Sequence, residues 1–376
     1  MERLNKMNNK KNSTIELLRF VFLTCIIFLH CNHLGPDIVR MPNRLCPRGA
    51  FGVEFFFIVS GILMAKSTFG KTFCVDDVGS CTSKFVIRKW VRFVPYMIIS
   101  VILTLLVEIF VAKRYGCAKA MGVFIQSLGD VFLLHMSGLN ILQINGPIWY
   151  VSAMLLAMMI LYPLLIWNRK LFIHVIAPLL SIGIIGWMLN FYHGITAHAG
   201  EWSGVVRVGV LRAIAEISLG CVAFEISQYV YSKYGKNICE RILLIMIELI
   251  GYVLSIWWIL FALQFPRAFE CYVIFALAAS LVVSFSGKGI ILPVYLNSIA
   301  YWLGSLTLIM YFNHNWIISL VKYLSAPCRT YELYVRTSVI AFISVVVFAI
   351  VYNMILSVGS KILKKDSLNL NLTKGI

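Results

Sequence analysis

The sequence predicts an all-α fold, a polytopic bundle of transmembrane helices, and three observations carry that reading. Of 376 residues, 60% are hydrophobic and 13% charged, with a mean hydropathy of +0.86; an ordinary soluble domain carries roughly 25% charged residues. Apolar segments of about 17–25 residues, the length that crosses a bilayer core, recur from near residue 15 to near residue 359. The lysines and arginines gather in the short loops between those segments, the pattern that orients membrane helices.

In chain order, spans are expected over 15–33, 50–66, 86–111, 147–167, 171–191, 207–231, 241–263, 268–286, 301–323 and 334–359. That is about ten helices. The segment 121–136 is shorter and holds Gln126 and Asp130, so it reads as a non-spanning element. Both tails are basic, which favours the cytoplasm and requires an even number of spans. With ten, cytoplasmic loops and tails hold roughly twenty Lys and Arg and outer loops roughly ten. The chain divides into a basic tail (1–14), a transmembrane domain (15–359) and a second basic tail (360–376). No stretch between spans reaches the size of a separate soluble domain, about 50 residues. The opening MERLNKMNNKKN and the apolar run after it mimic a secretory leader. That run carries Arg19 and His30 and lacks a small-residue cleavage site, so it reads as a retained helix.

A net charge of +17 is compatible with phosphate backbones. Here the basic residues lie between apolar segments with no nucleic-acid-binding module, so topology is the better reading and no nucleic-acid partner is expected. Several of the ten cysteines (Cys25, Cys221, Cys271) fall inside apolar runs, where free cysteine behaves as a small hydrophobe. Cys74 and Cys81 share a loop assigned to the cytoplasm, where a reduced pair is expected. No zinc-type spacing occurs, and His193 and His198, five apart in a loop, are weak metal ligands; no metal is expected.

An ionisable group at bilayer depth costs about 2.5–3.5 kcal/mol on insertion scales, so each needs a partner or a watery cavity. Arg19 and His30 are eleven residues apart, about 20° from eclipsed and about 16 Å along a helix. They share a face, with Arg19 toward the cytoplasm and His30 toward the outside. Glu54 in GVEFFFIVSGILM sits in an apolar setting with Ser60 deeper along; beside a histidine it would orient the ring and raise its basicity. FVIRKWVRFVPY places Arg88 and Arg92 four apart on one face, flanked by Lys89. Cations at a membrane edge suit phosphates, although they also serve as positive-inside anchors. In GPIWYVSA a Gly146-Pro147 break precedes Trp149 and Tyr150, and YFNHNWI sets Asn313, His314 and Asn315 in mid-span.

In order, these segments resemble the acyltransferase 3 family of integral membrane acyltransferases. Arg19 and His30 fit its Arg-x10-His signature, and GVEFFFIVSGIL is similar to its Gly-Val-Asp-x-Phe-Phe-x-x-Ser-Gly-Phe element, with Glu54 in place of the more usual Asp. FVIRKWVRFVP resembles its Arg-rich third-helix entry, GPIW matches Gly-Pro-x-Trp, and YWLGSLTLIMYFNHNWI is similar to its late helix ending Tyr-x-x-His. The resemblance covers about residues 13–360, while YVSAM after Trp149 departs from the acidic run of many members.

The resemblance implies a multi-pass protein of the bacterial cytoplasmic membrane that moves an acyl group, usually acetyl, from cytoplasmic acyl-CoA to a hydroxyl on a surface or lipid-linked glycan. Acyl-CoA is then a co-substrate, and no permanently bound cofactor is expected. On that reading Arg88, Lys89 and Arg92 hold the CoA phosphates, Arg19 steers the donor, and His30, supported by Glu54, is the general base. Ser60, Trp149, Asn313 and His314 line the cavity or supply oxyanion donors. Direct transfer and an acyl-histidine intermediate both remain open. A second reading is a transporter or flippase for a glycan lipid, with Arg19 and Glu54 as an intramembrane charge pair. A lipid-linked sugar polymerase ranks last, because the outer loops are short.

The charge balance predicts that a green fluorescent protein fused to the C-terminus fluoresces. Alkaline phosphatase inserted near residue 200 should be active, and the reverse pattern would overturn the assigned orientation.

Overall fold

The computed structural model describes residues 12–35, 44–114, 116–139, 143–196 and 198–373. It is almost wholly helical. Helix α1 (Ser13–Cys31) starts where the Asn12 side chain accepts from the Thr14 and Ile15 amides, satisfying donors that a helix start leaves free. Then follow α2 (Gly52–Thr68), α3 (Val78–Leu106) prolonged by a π turn to Val111, and the short α4 (Cys117–Val131). Next come α5 (Trp149–Trp167), α6 (Ala177–Tyr192), a two-stranded hairpin (β1 Trp202–Ser203, β2 Val206–Arg207) and α7 (Val208–Lys233). The chain closes with α8 (Ile238–Phe261), α9 (Glu270–Ser286), α10 (Val294–Leu324) and α11 (Tyr331–Thr373).

Eight of these, α1, α2, α3, α5, α6, α8, α9 and α11 with their flanking turns, are long and apolar enough to cross a membrane. The expected spans 207–231 and 301–323 fall on α7 and α10, which match in length but carry Arg212, Glu216 and Glu225, and Asn313, His314 and Asn315. Helix α4, within which most of the segment 121–136 lies, has 15 residues, about 22 Å, shorter than the roughly 30 Å hydrocarbon core. Helix α11 runs on to Thr373, through most of the expected basic tail.

Two apolar cores organise the helices. One gathers α2, α5, α6, α7, α8 and α9 around α7; the other joins α10 to α1, α11 and the end of α3. Helix α1 contributes to both. The tightest seam is between α2 and α7, where a Cβ on Gly61 would lie 2.1 Å from the Ile217 carbonyl oxygen and one on Gly220 would lie 2.1 Å from that of Ile58. Glycine at both positions lets two backbones touch, the device membrane helices use where burial from water gives no drive to associate.

Gly61→Ala is accordingly expected to destabilise the protein by about 1–3 kcal/mol, the usual cost of overpacking. A lowered melting temperature in detergent micelles would register it, and an unchanged one would show that the seam is loose.

Candidate active site

Helices α1 and α10 run side by side in the same direction. At one end Glu16 packs against Gly304, where an added Cβ would lie 2.2 Å from its Oε2. At the other, His30 meets His314 with ring centroids 5.0 Å apart and planes inclined by 46°, and His33 lies 6.4 Å from His30. His314 is fully buried. Its Nδ1 is 2.7 Å from the Tyr311 carbonyl oxygen and 3.3 Å from that of Met310, and its Nε2 has no partner among the described residues.

The neighbouring polar groups are spoken for. Asn313, expected to offer a donor to the cavity, instead donates to the Ile309 carbonyl at 2.9 Å and accepts from Trp316 Nε1 at 3.0 Å. Ser60 donates to Met154 Sδ at 3.3 Å, and the Tyr150 hydroxyl donates to the same sulfur at 3.7 Å. The Tyr150 ring packs 4.6 Å from Phe57 and 5.7 Å from Tyr311, whose hydroxyl donates to the Pro147 carbonyl.

That last bond ties the Gly146-Pro147 turn to α10, and α4 secures it from the other side. Asp130 Oδ2 accepts from the Ile144 and Asn145 amides, both at 3.0 Å. The Asn145 side chain reaches Ser100 Oγ at 2.7 Å and the Phe312 carbonyl at 2.9 Å, linking α3 and α10. The 121–136 segment thus carries the carboxylate that fixes the entry to α5.

The cations collect toward the start of α1. Arg19 pairs with Glu16 at 3.2 Å. Lys89 lies with its ammonium 5.1 Å from the Phe85 ring, within electrostatic range of both Arg92 and Arg19. Arg88 and Arg92 are exposed, and Arg88 Nε donates to the Lys84 carbonyl at 3.0 Å.

Glu54 is where the structure departs most from expectation. The sequence reading sets it beside a histidine; its carboxylate is instead clasped by Arg212 of α7, Nε to Oε2 at 3.0 Å and Nη2 to Oε1. Arg212 Nε also reaches Glu216 at 3.3 Å, Nη2 reaches the Ala50 carbonyl at 3.2 Å and Nη1 the Thr196 carbonyl at 3.4 Å. Trp149 lies 5.6 Å from the same guanidinium, so it belongs to this ion cluster. The network extends outward, because Thr196 bonds Glu270, and Glu270 faces Arg48 at 3.7 Å. No Arg19–Glu54 pair exists, since each has another partner. Sequence reading missed Arg212 and Glu216; their i, i+4 spacing inside a span was the available signal.

His198 bonds Glu201 at 2.5 Å, and His193 takes a left-handed conformation at the end of α6. Cys74 and Cys81 are free thiols.

Arg212→Met would leave Glu54 and Glu216 facing each other in a buried site, at a cost of about 3–5 kcal/mol for breaking such an ion group. Adding Glu54→Gln should recover part of the lost thermal stability, and an undiminished melting temperature in the single variant would show the cluster to be inessential.

Comparison with known proteins agrees with the geometry. The family model of an acyltransferase domain matches residues 12–358. No curated protein and no solved structure matches the chain significantly. A match over essentially the whole chain shows that this protein belongs to the acyltransferase 3 family, the integral membrane acyltransferases.

Proposed function

We propose that this membrane acyltransferase moves an acyl group, in the first instance acetyl, from acyl-CoA to a hydroxyl of a surface or lipid-linked glycan at the bacterial cytoplasmic membrane, with His30 as general base. One observation carries the reading. Arg19 sits about three turns before His30 on α1, and a line of adjoining rings ends at the same histidine: Tyr150 packs on Tyr311 at 5.7 Å, Tyr311 lies 6.1 Å from His314, and His314 lies 5.0 Å from His30. Such a line separates a site for phosphates from a site for proton transfer while joining them within one protein.

Arg92 and Lys89, with Arg88 at the exposed edge, hold the phosphates of CoA through charge-assisted hydrogen bonds. Arg19, steadied by Glu16, guides the thioester inward. His30 removes the proton of the acceptor hydroxyl as its oxygen attacks the thioester carbon; the C–S bond breaks, and the proton passes to the leaving thiolate. The same chemistry can run in two steps through an acyl-histidine. Glu54, bound by Arg212, acts in this scheme by fixing α2 against α7 and not by touching His30. Trp149 remains available to the oxyanion, whereas the Ser60 hydroxyl and an Asn313 amide hydrogen are engaged elsewhere.

The experiment is acetyl transfer from [14C]acetyl-CoA in proteoliposomes carrying the host glycan fraction. His30→Ala should lower the rate by about 10²–10⁴-fold, the range of general acid–base contributions, with the protein still folded and monodisperse. Full activity in that variant would end the assignment of the base. Loss of O-acetyl signals from the surface glycan of cells lacking the protein would identify the acceptor.

A further inference from the structure

His314 holds a feature that the scheme above leaves unused. Its Nδ1 faces two backbone carbonyl oxygens, of Tyr311 at 2.7 Å and Met310 at 3.3 Å. Carbonyl oxygens only accept, so the ring hydrogen resides on Nδ1. Nε2 then carries a lone pair. It lies across the ring from Nδ1, directed away from the α10 backbone, fully buried and without a partner among the described residues. A buried acceptor left unmatched is costly. The ring beside His314 is His30, with centroids 5.0 Å apart and planes inclined by 46°, and the two are not hydrogen-bonded as the rings stand. Two imidazoles joined by one N–H···N bond of about 3 Å have centroids separated by roughly 5 Å, given the ring radius and usual bond length.

We infer that His314 is the positioning residue for His30: once a small turn of either ring aligns them, its Nε2 lone pair accepts the N–H of the His30 ring, which fixes the His30 tautomer and leaves the opposite His30 nitrogen as the free base. The inference rests on the acyl-transfer reading. In the step, the His30 lone pair takes the hydroxyl proton while the O–C bond forms and the C–S bond breaks; the transient imidazolium keeps its other N–H on His314 and returns the new proton to the thiolate. His314 neither gains nor loses a proton. It does for His30 what a buried carboxylate does in a nucleophile–base–orienter triad, without placing another charge in the membrane. The carboxylate expected in that role, Glu54, is held by Arg212. Asn32 and Tyr334 fix the segment that follows His30, because the Tyr334 hydroxyl donates to Asn32 Oδ1 and Asn32 Nδ2 to the Leu45 carbonyl at 3.3 Å.

Two measurements test this. In proteoliposomes with [14C]acetyl-CoA, His314→Phe, which keeps the ring and removes the acceptor, should lower kcat about 100-fold with KM for acetyl-CoA within twofold. His314→Gln, whose amide oxygen can reach the position of Nε2, should recover about tenfold of that loss. His314→Asn, too short to reach it, should recover none. Equal rates for Phe, Gln and Asn variants, or a fully active Phe variant, would overturn the inference. Independently of activity and of any substitution, long-range 15N NMR of the wild-type protein labelled at histidine should show His314 protonated on Nδ1; a hydrogen on Nε2 would also overturn it. Wild-type protein that transfers no acetyl group would refute the acyl-transfer reading instead, and the NMR result would still decide the tautomer.

Discussion

Arg212, in the first turns of α7, has 1% of its side chain exposed, and two carboxylates of 0% exposure, Glu54 and Glu216, share its guanidinium. A cation at that depth is tolerated when charge and hydrogen-bond donors are both matched. The guanidinium bonds five acceptor oxygens, both of the Glu54 carboxylate, one of Glu216 and the carbonyls of Ala50 and Thr196, with Nε shared between Glu54 and Glu216. Because those acceptors come from α2, α7, the turn before α2 and the loop after α6, meeting the needs of one side chain registers four segments. The Gly61–Gly220 contact then closes the same seam one to two turns farther along.

The position of the histidine pair follows from that registration. Helix α2 is locked to α7 by the ion cluster and to α1 by Phe22 stacked on Phe55 at 4.5 Å. Trp149 bridges the cluster to the start of α5, and the Gly146-Pro147 turn before it is bonded to α10 through Tyr311 and Asn145. Helix α10 in turn sets His314 against His30. The charges of the cluster therefore act through packing, while the rings of His30 and His314 lie apart from it among aromatic neighbours. That division suits an enzyme in lipid, because strong charges placed at the chemistry would need solvation that the bilayer does not supply.

Much of this was legible before any coordinates. The helical class, the positions of the spans and the family motifs follow from hydropathy runs and local spacing, which are properties of consecutive residues. The shared face of Arg19 and His30 follows from helical geometry alone. That 121–136 forms a short element follows from its length and polarity, but its task does not: Asp130 reaches Ile144 and Asn145 only after the chain folds back. Likewise nothing local marks Asn313 as engaged with Ile309 and Trp316, or Ser60 with Met154.

By itself the sequence determined which residues are costly to bury: an arginine and a histidine on α1, a glutamate on α2, and a histidine on α10. It could do so because the cost of a buried polar group depends on residue type and on the apolar run around it. Tertiary structure alone decided which residue answers each cost. Glu54 went to Arg212, 158 positions away, and His30 was left to face His314. Pairing across helices depends on which faces meet, and that is fixed by the summed packing of every helix in the bundle, which no single segment records.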